Sequence, residues 1–302
     1  MPAETTTKST SRFTAVLRVA RAPFLALPLT LAAVGVGAAA VTGGADVGRA
    51  VIATVGLTAA HVAVNALNEA RDYETGIDLE TDPTPFSGGS GTLPSGELSP
   101  RDARRLGYAG LAVAAVIGVW FVSLVGPALI PVVALGGVTV AAYTPVFTKY
   151  GLGELAAGLG LGFLPVVGIG FVQTGQFTPA LLVTALPPLF LTFNLLLLNE
   201  FPDLEPDRDG GRRNLIHRFG RRAGGLLYVL AGGATALAVV TAVATGTLPL
   251  PALLALVPFV LFGRCARWAL TRPDTDVPTA RLRDNVLWIL ATNVALATGL
   301  LV

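Results

Sequence analysis

The chain has 302 residues, 53% of them hydrophobic and only 13% charged, with a mean hydropathy of +0.67. Water-soluble domains carry about 25% charged residues, so this composition excludes an ordinary soluble globule and indicates a polytopic membrane protein in contact with lipid. A net charge of +2 without any nucleic-acid-binding motif gives no reason to expect a nucleic-acid partner, and the lone Cys265 excludes an intramolecular disulfide.

Residues 1–21 read as a basic tail ahead of a single membrane domain, 22–302. A helix needs about 20 apolar residues to cross the hydrocarbon core. Runs of that kind predict spans at 22–43, 50–70, 104–126, 127–146, 153–173, 179–199, 223–245, 249–266 and 284–302. The first run exceeds the apolar stretch of a secretory signal, so Ala38-Ala39-Ala40 reads as part of a retained span. Short breaks such as Val125-Gly126-Pro127 and Thr247-Leu248-Pro249 separate neighbouring helices. Gly158-Leu-Gly160-Leu-Gly162 lies inside an apolar run with no strand before it, so it predicts close helix packing rather than nucleotide binding. His61 stands alone and reads as a hydrogen-bonded interior residue.

Nine spans place every Lys and Arg except Arg49 on one face. The positive-inside rule makes that face cytoplasmic, with the N-terminus inside, the C-terminus outside and the plasma membrane as location. Two acidic clusters fall on the same face, each where an apolar run meets a polar loop. The first is Asn65-Ala-Leu-Asn68-Glu-Ala-Arg-Asp72-Tyr-Glu-Thr-Gly76-Ile-Asp78, and the second is Asn199-Glu-Phe-Pro-Asp203-Leu-Glu-Pro-Asp207.

Carboxylates at a membrane boundary are costly unless paired, hydrated or bound to metal, which makes them functional candidates. Asn65, Asn68 and Asp72 share one helical face, and Asn199, Asp203 and Asp207 drift only slightly around the axis while the chain stays helical. Gly76 can turn the chain so that Asp78 returns to the same site, and Pro202 and Pro206 predict a kink or an end to the sixth helix. Helix capping alone accounts for either cluster singly. Two with the same Asn-x-x-x-Asp spacing suit Mg²⁺, which takes oxygen ligands and completes its shell with water and phosphate. Arg71, Lys149 and Arg212 are extra cations for a diphosphate, and the glycine-rich 88–91 loop, with Ser87 and Gly88 as its binding candidates, either presents backbone N–H groups to an acceptor carboxylate or phosphate or serves as a flexible lid without a ligand.

Asn68-x-x-x-Asp72 with Gly76-x-Asp78, and Asn199-x-x-x-Asp203-x-x-x-Asp207 with Gly211-Arg212-Arg213-x-Leu215, resemble the UbiA superfamily of membrane prenyltransferases. Ser95-Gly-Glu-Leu-Ser-Pro100 and Tyr150-Gly-Leu-Gly-Glu154 are similar to its 1,4-dihydroxy-2-naphthoate polyprenyltransferase branch. The resemblance implies an all-α bundle of about nine transmembrane helices around a central cavity. It implies two Mg²⁺ ions held by Asn68, Asp72, Asp78, Asn199, Asp203 and Asp207, and an isoprenyl diphosphate contacted by Asn68, Asn199, Arg212 and Lys149. Asp72, Asp203, Tyr143 and Lys149 become the catalytic candidates, although Tyr143 and Lys149 depart from the commoner Tyr-x-x-x-Lys spacing. An arginine common in relatives is absent from the 85–91 loop.

The expected activity is Mg²⁺-dependent transfer of an isoprenyl group to an aromatic acceptor such as a dihydroxynaphthoate-like quinone precursor. A terpene cyclase that needs no acceptor is the alternative within the same chemistry. A transporter is the alternative of another class, disfavoured because transporters hold their ions near the bilayer midplane.

Overall fold

Five helices begin on a side chain chosen for the task. Ser11, Asp46, Ser99, Thr178 and Asn214 each accept a backbone N–H from the first turn that follows, and Pro100 and Pro179 stand at first helical positions where no N–H is needed. The computed structural model describes residues 11–302 except positions 82, 83, 85 and 87, and no strand occurs among them. Positions 1–10 of the expected tail lie outside the described residues; the remainder forms a short helix, α1 (Arg12–Val19).

Among the described residues, eight helices are long and apolar enough to cross a membrane: α2 (Ala22–Ala40), α3 (Val47–Thr75), α5 (Pro100–Val125), α6 (Pro127–Phe147), α7 (Gly153–Thr174), α8 (Pro179–Asn199), α11 (Arg221–Ala244) and α13 (Thr279–Leu301). Short helices α4 (Ile77–Glu80), α9 (Leu204–Asp209) and α10 (Leu215–Phe219) lie in the loops beside the acidic clusters. The expected span at 249–266 is broken. A 3₁₀ segment, Leu250–Leu256, meets α12 (Phe259–Thr271) at 40°, with Pro258 in the break.

The bundle closes on itself because α13 packs against α2, while α3 runs along α5 and α8 lies between α7, α11 and α13. Leu31, Leu191, Leu197, Leu198, Phe201 and Trp288 form its centre. Polar atoms at this depth must find partners. Asn194 Nδ2 donates to the Tyr228 carbonyl (3.0 Å), the Tyr228 hydroxyl to Asn285 Oδ1 (2.9 Å) and Asn285 Nδ2 to the Asn194 carbonyl (3.2 Å), stitching α8, α11 and α13 together. The outer face of α5 instead exposes Val113, Val116 and Val119, as a lipid-facing surface should. The Gly160 and Gly162 expectation holds: a Cβ at Gly162 would stand 2.4 Å from the Pro188 carbonyl oxygen, so only glycine lets α7 and α8 approach so closely.

Candidate active site

Both acidic clusters open onto one cavity of about 200 Å³, lined at its mouth by polar groups and deeper by Phe24, Leu27, Val64, Leu161 and Leu195. On α3 the row Asn65, Asn68 and Asp72 faces inward as its spacing requires. Gly76 ends the helix with φ of +85°, the left-handed region that glycine enters without a Cβ penalty, and the reversed chain brings Asp78 back to the rim.

The second row is not one continuous helix. α8 stops at Asn199, Asp203 precedes α9, and Asp207 lies within it; Pro202 falls in the break, as its missing N–H requires. The break lets Asn199, Asp203 and Asp207 meet the same cavity from a turn rather than from a helical face.

Arg212 joins the two rows. One guanidinium nitrogen lies 2.5 Å from Asp72 Oδ1 and 2.5 Å from Asn68 Oδ1, and the other is 3.6 Å from Asp207 Oδ1. Asn68 also donates to Asp72 Oδ2 (2.8 Å) and accepts from the Thr144 hydroxyl (3.1 Å). Thr144 reaches this point from a π-helical turn at Tyr143–Phe147, closed by Thr148 N–H donating to the Tyr143 carbonyl (3.0 Å); that turn also places Tyr143 in the cavity wall.

The glycine-rich loop covers the mouth, though not with free donors. Gly88 N–H donates to Asp203 Oδ2 (3.1 Å), and Ser90 gives both its N–H (2.8 Å) and its hydroxyl to Glu69 Oε1. These two N–H groups therefore brace carboxylates of the site rather than await an acceptor anion. A Cβ on Gly89 would sit 2.5 Å from the Asp78 carboxyl, so Gly89→Ala is expected to push the loop outward. Divalent-metal affinity of that variant, measured by titration, should fall about tenfold or more, as for other outer-shell changes.

Two expected residues stay out of the cavity and one cannot be placed. Arg71 is on the exposed side of α3, because the helical twist turns it away from Asn68 and Asp72. Lys149 is also exposed and borders a separate surface hollow with Tyr150, Arg213 and Arg218, since the chain leaves its helix just before it. Ser87 lies outside the described residues.

Several cavity residues escaped the sequence reading. Arg21, counted only as a topology signal, lines the mouth, donates to the Gly88 carbonyl (2.6 Å) and sits 3.7 Å from Glu69 Oε2. It is the one described non-glycine residue with positive φ, at 52°. Its strain is held by those contacts. Glu69 is fully buried, and Glu200 lines the cavity against Glu154, which also accepts the Leu215 N–H at 2.5 Å. Their positions beside Asn68 and Asn199 and within the Tyr150–Glu154 segment were the available signal.

Burial pushes Asp78 up to about 7, helped by the charges of Asp72 and Glu69, and pushes Asp203 up to about 6, helped by Asp207. Asp207 is raised for the same reason, against the pull of Arg212. Burial alone would lower Arg212, but Asp72 and Asp207 outweigh it and hold the guanidinium charged.

An all-oxygen set of this kind fits magnesium. Asp78 Oδ2 and Asn199 Oδ1 have no hydrogen-bond partner among the described residues, which leaves oxygen atoms for a hard cation. Among the described residues no three His, Cys, Asp or Glu side chains form a ready-made metal cage.

Because the folded carboxyls bind protons more tightly than unfolded ones, their contribution to stability is present at low pH. It is lost as pH rises from about 4 through the Asp203 and Asp78 values near 6 and 7. Metal-free protein in detergent should thus melt lower at pH 8 than at pH 5.5. Divalent-cation affinity should run the other way, weakening as pH falls below 7. A melting series with and without Mg²⁺ checks both signs.

The fold and this site define an all-helical bundle with membrane-spanning helices, whose two carboxylate rows meet at one cavity. The chain belongs to the UbiA prenyltransferase family, which it matches over residues 26–291. It is 27% identical over 194 residues to a 1,4-dihydroxy-2-naphthoate octaprenyltransferase of Bacillus subtilis (strain 168), an alignment covering 61% of this chain and 59% of that protein. Among solved structures, the fold is similar to a UbiA homolog from Archaeoglobus fulgidus bound to GPP and Mg²⁺ (TM-score 0.63, 16% identity, 95% and 99% of the two chains). It is also similar to an apo UbiA homolog from Aeropyrum pernix K1 (TM-score 0.66, 17% identity, 90% and 96%). A digeranylgeranylglyceryl phosphate synthase structure gives a TM-score of 0.69 at 14% identity, covering 97% and 99%.

Proposed function

We propose that the protein transfers an isoprenyl group from its diphosphate to a hydroxylated aromatic acceptor, of the dihydroxynaphthoate type, in a Mg²⁺-dependent reaction. The reading rests on one observation above all: Arg212 spans both carboxylate rows at the polar mouth of a cavity with apolar walls. A diphosphate bridged to carboxylates by cations belongs at that mouth, and a hydrocarbon chain belongs below it.

Asp72, Asp78, Asp203 and Asp207, with Asn68 and Asn199, would hold two magnesium ions. When bound, these supply Lewis-acid neutralisation of the charge that grows on the departing diphosphate. Arg212 exchanges carboxylate for phosphate oxygens, and Arg21 adds a second cation from the opposite side of the mouth. Tyr143 offers its hydroxyl from the wall. The allylic C–O bond breaks, the electrons leave with the diphosphate, and the acceptor ring forms the new bond and gives up its proton. Phe24, Leu27, Val64, Leu161 and Leu195 keep water from the allylic cation meanwhile.

The relative from Bacillus subtilis supports the acceptor class, and the structure solved with GPP and Mg²⁺ supports the donor class and the metal. The Lys and Arg distribution supports a cytoplasmic mouth in the plasma membrane, with residues 22–302 as one catalytic domain. Purified protein given Mg²⁺, a series of prenyl diphosphates and a panel of phenols is expected to yield prenylated phenol by mass spectrometry. Terpene products formed equally well without any phenol would overturn the reading in favour of a cyclase.

A further inference from the structure

The polar mouth is repeated, more sparsely, two helical turns deeper. His61 precedes Asn68 by seven residues on α3, and Thr192 precedes Asn199 by seven on α8. Seven residues advance about 10 Å and return almost to the same face, so each lies directly below its asparagine. Both line the cavity, and both are at least nine-tenths buried.

Neither is satisfied. His61 Nδ1 lies 3.0 Å from the Leu57 carbonyl, which can only accept, so Nδ1 carries the proton and Nε2 is left as a bare acceptor. Nε2 has no partner among the described residues, and neither has the Thr192 hydroxyl. Unpartnered buried polar atoms on an otherwise apolar floor are costly unless something binds them. Among the described residues, His61 is also the one polar side chain lining a second cavity, of about 210 Å³, walled by Ala53, Gly56, Gly118, Gly136 and Gly137.

We infer that His61 and Thr192 form the acceptor-binding tier of this enzyme, an inference that rests on the transferase reading above. A ring hydroxyl donates to His61 Nε2, and a second ring oxygen meets the Thr192 hydroxyl. The tier holds no cation, while Arg21, Arg212 and Arg213 border the mouth, so it recognises hydroxyl or carbonyl oxygens rather than a carboxylate. The ring then lies beneath the diphosphate, within reach of the carbon that loses it. Both are positioning residues in direct contact with the acceptor.

The test uses the full chain in detergent with Mg²⁺, a prenyl diphosphate and a dihydroxylated aromatic acceptor. Thr192→Val keeps the side-chain shape and is expected to raise KM for the phenol about tenfold, the effect of one lost hydrogen bond in a dry site. KM for the diphosphate should stay within about twofold, the melting temperature should hold, and Thr192→Ser should bring the phenol KM back toward wild type. His61→Phe should act in the same direction; if it fails to fold, Thr192→Val carries the test. Wild-type protein should bind a methoxy analogue of the acceptor as weakly as Thr192→Val binds the phenol. An unchanged phenol KM in Thr192→Val, with wild type transferring normally, overturns the tier alone. Parallel rises in both KM values with a lower melting temperature also overturn it, in favour of a packing role. Wild-type consumption of the diphosphate with no prenylated phenol overturns the transferase reading itself, and the tier falls with it.

Discussion

Asp203→Ala should lower prenyl transfer by about a thousandfold or more, the scale on which removing a single charge-stabilising group acts in other enzymes. Asp203 is at once a candidate metal ligand and the acceptor of the Gly88 N–H at 3.1 Å, so alanine removes two functions together. Asp203→Asn separates them, because an amide oxygen can keep the loop bond while the negative charge is lost. That variant should retain its fold and its loop and still lose nearly all turnover. Asp72→Ala should be comparably inactive, with the added consequence that Arg212 loses its nearer carboxylate. Single-turnover rates, with circular dichroism to confirm helix content, provide the measurement. Asp203→Asn within tenfold of wild type would remove the charge of Asp203 from the mechanism.

Arg212→Ala carries the second large effect, and it acts on stability as well as rate. The guanidinium is the shared counter-ion of Asp72 and Asp207, and breaking such a buried pair costs about 3–5 kcal/mol because a charge is left uncompensated. The variant should therefore melt well below wild type in chelator and regain part of the loss with Mg²⁺, which neutralises the same carboxylates. On the proposed role of Arg212 as a diphosphate contact, turnover should fall about a hundredfold. Arg212→Lys should recover less than half of the stability. Two different guanidinium nitrogens serve the two rows, and a single ammonium cannot reach both at once. A melting temperature unchanged in chelator would mean that Arg212 does not hold the rows together.

Much of the site was legible as local pattern. Asn68 and Asp72 occupy one face of α3 because four residues make just over one helical turn, and that holds wherever the helix packs. Gly76 closes the turn to Asp78 for a reason confined to its own backbone. Pro202 likewise ends α8 without help from other segments. The second row was legible in content but not in shape, since a row drawn on a helix assumes the helix continues. The cations were legible only as candidates. Arg71, Lys149 and Arg212 are all basic residues beside an acidic motif, and nothing local distinguishes the one that enters the cavity.

Arg21 shows the other limit. A positive residue before the first span satisfies the topology rule so well that no second role is suggested, yet it grips the loop more than sixty residues away. His61 was expected to be a hydrogen-bonded interior residue, and half of it is: Nδ1 has its carbonyl, while Nε2 has no partner among the described residues, and the ring lines a cavity that exists only once α3 and α8 face one another.

The chain's own letters determined that it crosses the membrane about nine times, and they placed amide and carboxylate oxygens in two rows at span ends. Periodicity and hydropathy are properties of short segments, so they survive without a fold. Which cation bridges the rows, which loop covers them and which polar atoms stay unpartnered below them were decided by tertiary structure. Those contacts join residues up to 144 positions apart, and their geometry depends on how α2, α3 and α8 close around a common space.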